Sequence, residues 1–211
     1  MKKLFKLVYV ENNAYELTKE LPSDTHRYYY WLDDVVNNWC SCEHCRSLSP
    51  SDQQTIILNT ILKGIQKADP MGKLAWLSYL DALLPPKKVK PDKGLFLEYA
   101  PIRRSLNHCL WDKRVKKNKV ELEHLEDMLK VFDVKEAKVL EYWTDNSLLS
   151  HWTKPPRKYS INAVVMEKDV KKYAELGFTS VTAFGCYLGS DYRKLYGLPE
   201  LSAYGEILMK Y

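Results

Sequence analysis

The chain has 211 residues, of which 45% are hydrophobic and 28% are charged. This composition excludes an intrinsically disordered chain and predicts a single domain over residues 1–211. The formal net charge of +5 is small, and the lysine clusters at 85–93 and 113–119 are typical of solvated loops and helix surfaces. We therefore expect no nucleic-acid partner.

The amino-terminal run from Leu4 to Val10 is read as a strand with apolar alternation rather than as a signal peptide. Lys6 interrupts the run, and no small-residue cleavage site follows it. No segment approaches the ~18 apolar residues of a membrane span. Five cysteines, three of them within six residues, do not predict a secreted disulfide framework. We expect a cytoplasmic protein with no membrane partner.

Short apolar runs separated by helix-like stretches predict strands that are covered on both faces, and hence a parallel α/β sheet. After the amino-terminal run, the predicted strands lie at 28–32, at 74–80, from residue 95, around residue 139 and at 180–187. The intervening helices are predicted from residue 51, over 120–132, over 168–176 and at the carboxyl terminus. Gly177 should end the third of these helices.

The first of these helices has a predicted start signal. Pro50 is a typical first-turn residue, and Ser51 with Gln54 has the spacing of a capping box. Isoleucines at 57, 61 and 65 form one apolar stripe, and Pro70 with Gly72 should end the helix.

The count is five strong strands, or six with the amino-terminal run. A complete (β/α)8 barrel has eight strands and typically needs about 250 residues. The prediction is therefore an α/β fold with a partial or incomplete (β/α)8 TIM-type barrel, a mostly parallel sheet with flanking helices. An open barrel exposes sheet edges, so we expect a homo-oligomer or association with a missing barrel half.

Carboxylates follow several predicted strands, at the end where α/β barrels keep their chemistry. Glu98 and Glu141 stand beside aromatic residues, and glycoside hydrolysis commonly uses two carboxylates, one as the acid and one as the base or nucleophile. These two are the predicted catalytic residues. Asp33, Asp34 and Asp81 are predicted substrate contacts. The alternative for each carboxylate is that it caps a helix or pairs with a local arginine.

Other side chains suit a carbohydrate ligand. Arg103 is predicted either to hold a carboxylated sugar or to hold Glu98 in place. His108 is a candidate substrate contact, with a surface histidine as the alternative. Trp143 and Tyr187 are candidates for stacking on a sugar ring, although either is also compatible with the core. The high aromatic content, 12%, favours such a cleft.

Cys40, Cys42 and Cys45 lie in one loop, with His44 between the last two. Three thiols and an imidazole are sufficient ligands for tetrahedral zinc. A local disulfide and packed structural thiols remain open as alternatives. No cofactor is expected apart from zinc at this loop.

The order of motifs resembles the DUF4838 family. The resemblance rests on WLDD…NNWCSCEHC, on EYAPIRRSLNH and on DVKKYAELGFTSVTAFG. It covers nearly the whole chain from about residue 28, and its most specific pieces are the triple-cysteine loop, Pro101 to His108 and Asp169 to Gly177. The resemblance implies a bacterial glycoside-hydrolase-like TIM barrel related to α-glucuronidases, of which this chain is similar to the carboxyl-terminal part. Family members are often exported.

The leading hypothesis is a glycoside hydrolase, or a fragment of one, that acts on a carbohydrate through its strand-end carboxylates. A uronic-acid-containing glycan is one candidate substrate. The first alternative is a non-catalytic carbohydrate-binding or vestigial barrel module. The second alternative is a metal or redox protein that uses the loop from Cys40 to Cys45.

Overall fold

The computed structural model describes residues 2–211, with side chains from residue 7 onward. Over these residues, every helix is too short or too polar to cross a membrane. The chain divides into two compact units. Unit 1 comprises residues up to 98 together with 130–133, and unit 2 comprises 99–129 and 134–211. The single-domain expectation stays a prediction, and each unit is described separately below.

The described part of the chain contains five strands, β1 (Arg27–Tyr28), β2 (Lys73–Ser78), β3 (Leu95–Tyr99), β4 (Lys138–Glu141) and β5 (Val181–Ala183). They form one parallel sheet in the order β1-β2-β3-β4-β5. A sequential order of parallel strands flanked by helices is the arrangement of a (β/α)8 barrel, of which five strands are present. The predicted fold class is confirmed. The strands predicted at 28–32 and 180–187 are shorter in the structure than in the prediction.

The helices are α1 (Lys2–Glu20), α2 (Pro50–Ala68), α3 (Lys116–Met128), α4 (Asn146–Leu149), α5 (Ala163–Leu176), α6 (Ser190–Tyr196) and α7 (Ser202–Leu208). A 3-10 turn, Leu80–Ala82, lies between β2 and β3. The third predicted helix starts earlier than expected, at residue 163, but ends as predicted at Gly177, which has a φ of +99°. The carboxyl-terminal helix is shorter than predicted, and α6 was missed.

The strand predicted at Leu4 to Val10 is wrong, because this run lies inside α1. Beyond the run, burial recurs at Ala14 and Thr18, four residues apart, which is the period of a helix rather than of a strand. The helix packs against α2 at Gly64, where an added Cβ would lie 2.1 Å from the backbone oxygen of Glu11. This close approach of two backbones is a tertiary contact that a local pattern does not reveal.

The capping box of α2 begins two residues before the predicted one. Ser49 is the N-cap, its hydroxyl accepts from the backbone N–H of Asp52, and the Asp52 carboxylate accepts from the backbone N–H of Ser49. Pro50 is the first helical residue, as predicted. Ser51 and Gln54 are both buried and instead donate to backbone carbonyls outside the helix. The box predicted from these two residues is therefore wrong.

Each unit has its own buried apolar residues. In unit 1, α2 contributes Leu58, Leu62 and Ile65, and β2 contributes Trp76, whose ring lies 5.5 Å from that of Phe132. In unit 2, α3, β4 and α5 each contribute buried apolar residues. They include Leu122, Leu125, Val139, Met166 and Tyr173. The carboxyl end of each strand comes directly after these buried segments of the chain.

Candidate functional site

Unit 1 contains a cavity of about 320 Å³ at the carboxyl ends of β1 and β2. The loop after β1 contributes Asp33 and Trp39 to its wall, and the segment after β2 contributes Tyr79 and Asp81. This volume is within the range of small-molecule sites, which are about 300–1,000 Å³. The cavity thus combines carboxylates with aromatic rings at the end of the sheet where α/β proteins bind their ligands.

Asp81 fixes the loop that forms the opposite wall of this cavity. Its Oδ2 accepts from the backbone N–H of Asn37 at 2.5 Å and from the indole N–H of Trp39 at 3.1 Å. Asp81 sits on the 3-10 turn that follows β2, so a short strand-end turn positions this carboxylate. The indole of Trp39 is consequently held beside Asp81 at the wall.

Glu98, like Asp81, accepts a hydrogen bond from the indole N–H of a tryptophan. Its Oε2 accepts from the indole N–H of Trp31 at 2.8 Å. Glu98 is only 2% exposed, whereas Trp31 is 47% exposed. The bond therefore joins a carboxylate inside unit 1 to an aromatic ring at its surface. Unit 1 has two such indole–carboxylate pairs, each involving a carboxylate predicted from its strand-end position.

The remaining predicted aspartates of unit 1 belong to the same region. Asp34 accepts from the hydroxyl of Tyr79 at 3.0 Å, and Asp33 contributes to the cavity wall. Both aspartates are exposed. Two of the three predicted aspartates, Asp33 and Asp81, line the cavity, and Asp34 contacts the lining residue Tyr79.

Glu141 lies in unit 2, in a different environment. Both its side chain and that of Arg104 are 0% exposed, and Nη1 of Arg104 lies 2.6 Å from Oε1 of Glu141. The hydroxyl of Tyr173 donates to the same carboxylate oxygen at 2.7 Å. On the other side, Nη2 of Arg104 lies 2.7 Å from Asp169. The four side chains form a sealed ionic cluster.

The charged groups of this cluster shift each other's pKa values. Burial raises the pKa of Glu141, and the attraction of Arg104 opposes that rise. Burial also acts to lower the pKa of Arg104, but attraction to Glu141 and Asp169 outweighs it, so the pKa of Arg104 is raised. The guanidinium therefore stays charged. Because Glu141 is closed off from solvent, its predicted catalytic role receives no support from this geometry.

The arginine that holds Glu141 is the neighbour of the predicted one. Arg103 is exposed, whereas Arg104 is 5% exposed. The sequence contains a pattern that could have predicted this cluster. Asp169 and Tyr173 are four residues apart and therefore share one face of α5. A buried carboxylate on that face requires a cation, and two adjacent arginines were available to supply it.

The other predicted contacts in unit 2 are spread over different environments. His108 is exposed, and its ring nitrogen Nδ1 lies 3.3 Å from the hydroxyl of Ser105. Trp143 is 6% exposed, so its ring is covered and a stacking role receives no support. Tyr187 is partly exposed, and the ammonium of Lys154 lies 4.0 Å from the centre of its ring. This cation–π contact already occupies one face of that ring.

The three cysteines of unit 1 converge. The Sγ atoms of Cys40, Cys42 and Cys45 all lie within 4.8 Å of one another. Hydrogen bonding to Cys40 and to the backbone N–H groups of Cys45 and His44 lowers the pKa of the Cys42 thiol to about 7. Among the described residues, these three are the group that is arranged to hold a metal ion, and His44 is not part of it.

No family model, no curated protein and no solved structure matches the chain. The fold and the site together define an α/β protein of the partial-barrel class, with a strand-end cavity lined by carboxylates and aromatic rings. The resemblance to the DUF4838 family stays a prediction.

Proposed function

We propose that unit 1 is the saccharide-binding part of a glycoside-hydrolase-like protein. The observation that carries this proposal is the pair of indole–carboxylate hydrogen bonds, from Trp39 to Asp81 and from Trp31 to Glu98. A sugar ring is polar at its edge and apolar on its faces. Aromatic surfaces next to carboxylate acceptors match both features at once.

The cavity supports a ligand of this class. Trp39 and Tyr79 contribute aromatic wall, and Asp33 and Asp81 contribute acceptors for sugar hydroxyls. A carboxylate that is already oriented by a protein donor loses less freedom on binding a ligand than a mobile one. Asp81 is such a group, because two donors from the opposite loop fix its Oδ2.

Hydrolysis requires a second carboxylate near the first. We propose Glu98 as one member, because it is the most deeply buried carboxylate at the strand ends of unit 1. We propose Asp81 rather than Glu141 as the partner of Glu98, because Glu141 forms a buried ion pair with Arg104. A uronic-acid-containing glycan remains the proposed substrate class.

A non-catalytic carbohydrate-binding module is the second candidate. The sealed environment of Glu141 favours it, because one of the two residues expected to perform catalysis is shielded from any substrate. In this function the same cavity, with the indole of Trp39 in its wall, binds the sugar without a working acid–base pair.

A glycan array and a panel of aryl glycosides and aryl glucuronides separate the two functions. Binding together with turnover that is lost in Glu98→Gln and Asp81→Asn supports a hydrolase. Binding without turnover supports the binding module. Absence of both binding and turnover contradicts the proposal. Glu141→Gln serves as the comparison, and we expect it to reduce stability rather than to remove turnover selectively.

A further inference from the structure

We propose that Cys40, Cys42 and Cys45 form a binding site for one divalent thiophilic metal ion of the zinc type, with the fourth ligand position open to solvent. The three Sγ atoms lie within 4.8 Å of one another, and Cys40 and Cys42 are exposed while Cys45 is buried. Two of the three ligands are therefore accessible to an ion from solvent.

The spacing of the sulfur atoms suits tetrahedral coordination. A Zn–S bond of about 2.3 Å places two ligand sulfurs about 3.8 Å apart in a tetrahedron. The three thiols are within about an ångström of that separation, so small side-chain rotations complete the site. A disulfide joins only two sulfurs and gives the third no role, whereas a metal ion uses all three.

The backbone around Cys42 forms a hydrogen-bonded turn. The N–H groups of Cys45 and Arg46 both donate to the carbonyl of Cys42 at 2.9 Å. This turn keeps the segment that carries Cys45 close to Cys42, so the backbone itself holds two of the three ligands near each other.

Gln53, a buried residue of α2, holds the two ends of this loop. Its Oε1 accepts from the backbone N–H of Cys40 at 2.9 Å, and its Nε2 lies 3.1 Å from the carbonyl of Cys40 and 3.3 Å from that of Cys45. One side chain thus fixes the first and last ligands from a rigid helix. A loop that is ordered before the ion binds loses less entropy on binding.

Packed structural thiols explain these observations less well. Free cysteine is among the most buried residue types, yet Cys40 and Cys42 are exposed. Binding of the ion releases the thiol protons to solvent, because thiolates are the ligands. Three thiolates and one divalent ion have a net charge of −1, and a water molecule or a neutral ligand completes the tetrahedron.

The test uses the full chain, reduced and stripped of metal, and titrated with Co²⁺ as a spectroscopic probe and then with Zn²⁺. We expect one ion per chain, a sulfur-to-cobalt charge-transfer band in the near ultraviolet and displacement of cobalt by zinc. Cys42→Ser should remove the band, and because Cys42 is exposed this variant should keep its fold. Cys186→Ser, which replaces a free cysteine of unit 2, is the matched control and should leave the band unchanged.

Three results overturn the proposal. They are the absence of stoichiometric metal in the reduced protein, an unchanged band in both Cys42→Ser and Cys40→Ser, and a disulfide between residues 40 and 45 that forms equally well with zinc present. Peptide mapping of the chain after mild oxidation, with and without zinc, distinguishes the last result, because a bound ion protects all three thiols.

Discussion

Nη1 of Arg104 lies 2.6 Å from Oε1 of Glu141, and both side chains are completely buried. This ion pair determines what Glu141 does in the molecule. A carboxylate at the end of a barrel strand is a candidate for catalysis, but this one is compensated by a guanidinium and by the hydroxyl of Tyr173. Its buried ion pair belongs to the interior of unit 2, whereas Asp33 and Asp81 line the cavity of unit 1.

Removing the cation from this cluster should destabilise the protein strongly. Arg104→Met leaves Glu141 and Asp169 buried without their counter-ion, and breaking a buried pair typically costs about 3–5 kcal/mol. Arg193→Met is the matched control at an exposed arginine of the same unit, where changes are typically within about 0.5 kcal/mol. The measurement is the free energy of unfolding in urea. A loss in Arg104→Met no larger than in the control contradicts the structural role of the pair.

Glu121 should make the stability of unit 2 depend on pH. Burial raises the pKa of Glu121 from 4.5 to about 7, and the backbone N–H of Arg103 only partly opposes this. Because the folded state holds this proton more tightly than the unfolded state, the free energy of unfolding falls as the pH rises from about 4.5 to 7. The loss attributable to this group is about 3 kcal/mol and is complete above pH 7.

The variant Glu121→Gln should remove that part of the pH dependence. Glu126→Gln, at an exposed position of the same helix, is the control and should leave it unchanged. The comparison of variants with the wild type cancels the contribution of nearby His124, whose pKa burial lowers. Identical pH profiles for Glu121→Gln and the wild type contradict the assignment. The profiles come from urea unfolding between pH 4 and pH 8.

The packing of α1 on α2 should be visible in a pair of glycine variants. Gly64→Ala places a Cβ 2.1 Å from the backbone oxygen of Glu11, and the two helices have to separate. Overpacking of this kind costs about 1–3 kcal/mol or more. Gly205→Ala, in a helix where nothing lies within 4 Å of the added atom, should instead stabilise by up to about 1 kcal/mol. Thermal unfolding of both variants provides the measurement, and a neutral Gly64→Ala shows that α1 does not pack there.

Gln53 should control the cysteine loop. Gln53→Leu keeps the size of the side chain but removes its bonds to the backbone of Cys40 and Cys45. A buried backbone group left without a partner lowers the free energy of unfolding by up to about 1–3 kcal/mol. We therefore expect Gln53→Leu to have lower stability and a weaker affinity for Co²⁺. Gln66→Leu, on the same helix, is the control and should keep the affinity of the wild type. Unchanged cobalt affinity in Gln53→Leu contradicts the proposed preorganisation.

The sequence predicted the parts of the fold that depend on local pattern. Buried strands are continuous apolar runs, so β2, β3 and β4 were found close to their observed positions. The run inside α1 was misread because a short apolar segment fits either period, and its contact at Gly64 comes from a distant helix. The predicted cap failed because S-x-x-D at Ser49 and S-x-x-Q at Ser51 overlap. Only the tertiary hydrogen bonds of the buried side chains of Ser51 and Gln54 distinguish the two patterns.

The candidate site, like the fold, could be predicted only where it depends on local sequence pattern. Strand-end logic found Asp81 and Glu98, because their positions follow from strand ends that the sequence reveals. It did not find Trp31 or Trp39 as their donors, since both tryptophans lie in a loop whose path is set by tertiary contacts. It did not reveal that Glu141 is buried against Arg104, because the depth of a strand end depends on packing that the sequence does not state.

The most direct measurement is the affinity of the saccharide selected by the glycan array for the wild-type chain, for Trp39→Ala and for Trp152→Ala, determined by calorimetric titration. Trp39 lies at the cavity wall and donates to Asp81, whereas Trp152 is a 61% exposed residue of unit 2. We predict binding by the wild type and by Trp152→Ala and a loss of about tenfold or more in Trp39→Ala, which corresponds to about 1.4 kcal/mol. Equal affinity for all three proteins, or a loss confined to Trp152→Ala, contradicts the proposed saccharide site.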